Sequence, residues 1–142
     1  MKKYIILLVA AIIIACIIVY VRFQFKVNKS MVNFENNPYS SVFNKELSSA
    51  ELATLINKAM NKNVDNEVVR DENGFFIEND ENSIKIDVHF IIDDTILKAE
   101  QIEKSDLNMF ITAYASAKFK CTRIEYHNKT KLVKYLYIEE LE

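Results

Sequence analysis

Tyr4 to Val21 is a run of 18 residues without a charge. At about 1.5 Å rise per residue, a helix of that length covers roughly 27 Å, close to the hydrocarbon thickness of a bilayer. The run is apolar on every side, and the remainder of the 142 residues holds too little apolar surface to wrap such a helix as a core element. A membrane span is therefore expected over residues 1–22, with Tyr4, Ile5, Leu8, Ile12, Ile14, Ile18 and Val21 as its anchoring side chains. Lys2 and Lys3 precede it, Arg22 and Lys26 close it, and Tyr4 and Tyr20 stand where interfacial aromatics are expected.

The segment lacks the small residues at −3 and −1 that a secretory cleavage site needs, so removal as a signal peptide is not expected. Ile13-Ile14-Ala15-Cys16 fits the loose pattern of a lipoprotein signal, which makes lipidation of Cys16 the competing form of anchorage. Against it, apolar residues continue from Ile17 to Val21, where a lipidated N-terminus would open into a polar tether. Basic residues on the two sides nearly balance, Lys2 and Lys3 against Arg22, Lys26 and Lys29. The short basic head before a first apolar segment is that of a signal anchor, which places the remaining chain outside the cytoplasm. Ala11 and Ala15 form a small-xxx-small pair through which two spans could approach as a homodimer.

Charge gives a further exclusion. From Phe23 onward there are 15 Lys and Arg against 20 Asp and Glu, the opposite of the balance a nucleic-acid groove needs. The chain holds 14 Asn, 18 Ile and a single Gly, a bias expected of an AT-rich coding sequence. With Gly so scarce, the left-handed backbone positions are expected to fall largely to Asn.

Beyond the span, residues 23–46 mix isolated aromatics with Asn, Ser and the only Pro, and are read as an irregular tether. Residues 47–142 read as one small soluble domain. Ser48-Ser49-Ala50-Glu51 is a capping box, and Leu52, Leu55, Ile56, Ala59 and Met60 follow at helical spacing. Asn73-Gly74 predicts a two-residue type I′ hairpin turn. Ile84, Ile86, Val88, Phe90 and Ile92 alternate as a half-buried strand, with Lys85, Asp87 and His89 on the wet face. Ser105-Asp106 opens a second helix through Leu107, Phe110, Ile111 and Tyr114, and residues 119–126 and 132–138 form a terminal hairpin around His127 to Lys131. The order gives an α+β domain with an antiparallel sheet of about four to five strands and two helices.

Chemistry is sparse. His89 and His127 are the only histidines, and no spacing joins them to carboxylates as a metal site. Cys121 alternates with Phe119 as a buried thiol would, and a Cys121/His127 nucleophile pair would lie roughly 20 Å apart along one strand. Asp71, Glu72, Glu78, Asp80 and Glu81 cluster without the calcium-loop pattern, and phosphate-loop and nucleophile-elbow motifs are missing. No catalytic residue and no cofactor is implied.

Leu55 to Ala59, Asp71 to Gly74, Asn82 to Ile86 and Cys121 to His127 resemble small membrane-anchored proteins of low-GC Gram-positive bacteria, a group that brings no established activity. The apolar helix before a small head is also similar to pilin-like subunits, but no Gly precedes the run for a prepilin peptidase and no Glu lies near its start. The expectation is a single-pass cell-membrane protein with an extracytoplasmic domain that serves a cell-envelope system as a protein-interaction or assembly accessory. The alternatives are a ligand-binding lipoprotein, or a thiol or hydrolytic enzyme using Cys121 or His127.

Overall fold

The structure, a computed structural model, describes residues 2–141, with the side chains of all of these except Lys2, Leu7 and Leu8. The anchoring role expected of Leu8 thus falls outside the described side chains. Two compact units divide the chain, Met1–Phe34 and Glu35–Glu142.

Helix α1, Lys2–Ser40, makes up the first unit and enters the second. It is long and apolar enough to cross a membrane, and Tyr4, Ile5, Ile12, Ile14, Ile18 and Val21 are exposed on it. The irregular backbone expected over residues 23–46 is instead helical as far as Ser40. Two causes combine. Helix nucleation is already complete in the apolar run, so each further residue adds a hydrogen bond at the cost of ordering that residue alone. No Gly interrupts residues 23–40, and Pro38 comes only in the last turn. Ser40 then donates to the Asn36 carbonyl, and Asn44 takes a left-handed φ of 58° as the chain turns away.

The second unit is the α+β domain that the pattern called for. Strand β1 (Glu46–Ser48) leads into helix α2 (Ser49–Asp65). The capping box forms as read: the Ser48 hydroxyl accepts from the Glu51 amide while the Glu51 carboxylate accepts from the Ser48 amide at 2.8 Å. At the other end, Val68 donates to the Asn63 carbonyl and Glu67 to that of Val64, a Schellman closure. Glu67 occupies the left-handed position, φ 54°, that Gly usually fills.

Strand β2 (Lys85–Phe90) alternates as expected, burying Ile86, Val88 and Phe90. Strand β3 (Thr95–Lys98) pairs back on it as a hairpin that the alternation of β2 alone does not reveal. Two short helices follow, α3 (Ala99–Lys104) and α4 (Leu107–Ala113), the latter capped by Asp106, whose carboxylate accepts from the Asn108 amide. Strands β4 (Lys118–Tyr126) and β5 (Val133–Leu141) form the terminal hairpin.

The sheet order is β1-β4-β5-β2-β3. All neighbours are antiparallel except β2 and β5, which run parallel, so the sheet is mixed and not wholly antiparallel as expected. The parallel pair is possible because α3, α4 and β4 supply the long connection that parallel neighbours require. Leu52, Ile56 and Met60 of α2 bury against Ile86, Phe119, Leu136 and Ile138 of the sheet. Phe90, Phe110, Tyr114 and Phe119 form an aromatic cluster with centroids 4.8 to 6.5 Å apart, which fastens α4 over β2 and β4. With the helices on one side, the opposite sheet face stays open.

The turn at Asn73-Gly74 departs from type I′. Gly74 has φ 86°, but Asn73 does not share the left-handed region, and the Gly74 amide donates to the Asp71 carbonyl. The Asp71 carboxylate accepts from the amides of Asn73 and Phe75, each at 2.9 Å, and this Asx arrangement outcompetes the two-residue turn.

Candidate functional site

The open face is assembled from alternate residues of three strands. Register places Lys85 beside Tyr135, Asp87 beside Tyr137 and His89 beside Glu139 on the parallel pair. Across the β4–β5 pair, Arg123 meets Tyr137 and Glu125 meets Tyr135. Arg123 would not lie here in a regular strand. Cys121 points into the core against Ile138, and two residues later the side chain should return to that same side. The register slips at Thr122, and this β-bulge turns Arg123 over to the open face.

Once there, the guanidinium sits 5.2 Å from the Tyr135 ring centroid and 5.4 Å from that of Tyr137, within cation–π range. Glu125 pairs with its Nε at 3.5 Å. The Tyr135 hydroxyl donates to the Asp87 carboxylate at 2.9 Å. Burial first, and then this bond to a carboxylate, push the phenol up to about 12. His89 stacks on Tyr137 at 6.2 Å between centroids, with its Nε2 2.8 Å from an Asp94 carboxylate oxygen. Beyond it, Ile96 of β3 and Ile92 of the β2–β3 turn are exposed. The result is a flat surface of aromatic rings, one arginine and alternating carboxylates.

The residues singled out for chemistry do not converge. Cys121 is fully buried, its thiol directed at the Arg123 carbonyl 3.6 Å away, and desolvation pushes it up to about 11. A thiol held protonated in this way is a poor nucleophile. His127 is buried elsewhere, with its Nε2 2.8 Å from the Ser83 carbonyl. The two side chains bond to different groups and make no base–nucleophile pair. Among the described residues, no group of three His, Cys, Asp or Glu side chains is arranged to hold a metal ion. Cys16 is a free, exposed thiol on α1.

An apolar groove of about 440 Å³ lies between residues 38–42 and α2, lined by Pro38, Val42, Leu47 and Leu55. Its carboxylate, Glu51, is already engaged by the capping box, and its only cation is Lys58. The groove thus offers an apolar contact without a reactive pair.

Sequence reasoning placed Asp87 and His89 on the wet face but missed Arg123, Tyr135 and Tyr137. The tyrosines carried a readable signal, since they alternate with Leu136 and Ile138. Arg123 carried none, because the bulge that re-aims it has no local signature. No protein-family model, curated protein or solved structure matches the chain.

Proposed function

We propose that the chain is a single-pass membrane protein whose α+β domain lies outside the cytoplasm and binds a protein partner through the open sheet face, as an assembly accessory of a cell-envelope system. The observation that carries this reading is the bulge at Thr122, which exposes Arg123 beside Tyr135 and Tyr137. Arg and Tyr are the residue types that dominate binding energy at protein interfaces, because each offers a large contact area together with directed polar groups. The buried, protonated Cys121 and the separately engaged His127 speak for recognition over catalysis.

The test has two arms. A photo-crosslinking residue at Ile96, exposed beside the face, should capture a defined protein in intact cells, and Arg123→Glu should abolish capture while the purified variant keeps its unfolding midpoint. Capture that ignores Arg123→Glu, or turnover of a substrate by the purified protein, would overturn the reading. Asn33→Cys should react with a membrane-impermeant maleimide in intact cells. Labelling only after lysis would reverse the orientation.

A further inference from the structure

We propose that two copies of this chain associate in parallel along one face of α1, through a seam marked by Ile13, Cys16, Tyr20, Phe23, Val27 and Phe34. The proposal rests on the membrane-anchored reading above. These positions are spaced three, four, three, four and seven residues apart, the a/d repeat by which two helices interlock, with Ser30 at the one polar position of the repeat. Tyr20, Phe23 and Phe34 are 63%, 62% and 83% exposed, so the first unit leaves this stripe uncovered.

Residues 23–34 lie beyond the uncharged run, and at about 1.5 Å per residue they carry the stripe roughly 18 Å further along the helix. Lipid does not explain the extension. To lie in the bilayer surface the helix would have to bend sharply after the span, and sharp bends need Pro, Gly or a break in the hydrogen-bond ladder. Residues 2–37 contain neither Pro nor Gly, and α1 is uninterrupted across them.

A second copy is the occupant that the pattern favours. Copies inserted with the same topology present the stripe at the same height, so each apolar position meets its own equivalent without a shift in register. The seam carries no charge and asks for no oppositely charged partner. At about 100° per residue, Arg22 and Lys29 fall on the far side of the helix and Lys26 on the flank. With aromatic side chains burying about 200 Å² each, the stripe beyond and at the end of the run offers roughly 1,000 Å² over two copies. That approaches the ~1,200 Å² of specific interfaces, before the part within the bilayer is added. Ala11 and Ala15 project from the other side of the helix, so this contact excludes the small-residue approach for the same pair of copies.

The test uses the full-length protein in native membranes. Single cysteines are introduced along residues 11–34 in a Cys16→Ala background and oxidised with copper phenanthroline, with native Cys16 as one point of the scan. Buried Cys121 is replaced by Ala in a control series. Disulfide dimers should peak at 13, 16, 20, 23, 27 and 34 and fall by roughly tenfold at 18, 22, 25 and 29. Phe23→Ala with Phe34→Ala should lower the yield at Cys16 by a similar factor. Uniform yield along the helix, a maximum at 11 and 15, or adducts joining one copy to a different protein would each overturn the proposal. Carbonate extraction separates the two levels. Protein that resists extraction but gives no dimer overturns the seam alone, whereas protein released by carbonate overturns both the seam and the membrane anchorage.

Discussion

Asn63 donates to the Ile84 carbonyl and accepts from the Ile84 amide, both at 2.8 Å, in a fully buried position. Its own carbonyl accepts from Val68, so one residue closes α2 and starts the chain into β2. Asn63→Leu should cost about 2–6 kcal/mol, because it orphans two buried backbone groups at about 1–3 kcal/mol each. Urea unfolding of the full-length protein in detergent measures it. Asn36 clamps Lys131 and Val133 in the same manner, through its amide and its carbonyl oxygen. The Asn79 side-chain oxygen gathers three amides. By composition, abundant Asn is a coding bias and is expected at the left-handed positions. Of the non-glycine residues with positive φ, Asn44 alone is Asn, beside Glu67, Asp94, Asp106 and Lys131. At Asn36 and Asn63 the side chain serves as donor and acceptor for backbone of distant segments, a role invisible until those segments meet.

Lys85 and Glu100 form a second constraint at this scale, with their charged atoms 2.9 Å apart and side chains 17% and 3% exposed. Lys85 also donates to the Phe76 carbonyl, and Glu100 accepts from the Phe76 amide. Lys85→Met leaves Glu100 buried and uncompensated and should destabilise by about 3–5 kcal/mol, much of it recovered by adding Glu100→Leu. A double-mutant cycle in urea would show the coupling, and simple additivity would count against it. Tyr39, which burial also pushes up to about 12, sets part of the alkaline limit, and Cys121 and Tyr135 set the rest. All three hold their protons more tightly in the fold than in the open chain, Cys121 at about 11 instead of 9.0 and Tyr39 and Tyr135 at about 12 instead of 10.0. Their contribution is therefore complete below pH 9 and is lost as pH rises from 9 through 12. The urea midpoint should fall across that window, and Cys121→Ala should remove the part between 9 and 11.

Among the elements, those specified by neighbouring residues were the legible ones. The Ser48 capping box, the alternation of β2 and the Asp106 cap each lie within a dozen residues, and the terminal hairpin joins strands that follow one another directly. Ser48→Ala should accordingly lower stability by about 1 kcal/mol. The elements that escaped are too short to show a period or depend on a partner far along the chain. Strand β3 is only four residues long, and the β2–β5 pairing joins segments some fifty residues apart. The end of α2 offers a test with the opposite sign. Glu67 sits at the left-handed position of a Schellman closure, where a side chain is strained by roughly 1–2 kcal/mol. Glu67→Gly should raise stability by about 0.5–1 kcal/mol after the greater freedom of Gly in the open chain is deducted. A lower thermal midpoint for that variant would contradict the assignment.

For the whole molecule, the apolar run announced itself in one line of sequence, whereas the helical continuation to Ser40 was hidden among Asn and Ser. The stripe at Phe23, Val27 and Phe34 was present there, but only an uninterrupted helix makes its spacing meaningful. Ile12→Arg places a charge near the middle of the run at about 2.5–3.5 kcal/mol. It should raise the fraction of the protein that carbonate releases.

The position of β5 also bears on when the head can close. It is the only strand that touches both β4 and β2, and it is the last of the described strands in chain order. Until it arrives, the β1–β4 and β2–β3 pairs are separate ribbons without a common edge. A polypeptide built this way cannot complete its sheet until β5 has been made, so its closure waits on a pairing between segments some fifty residues apart.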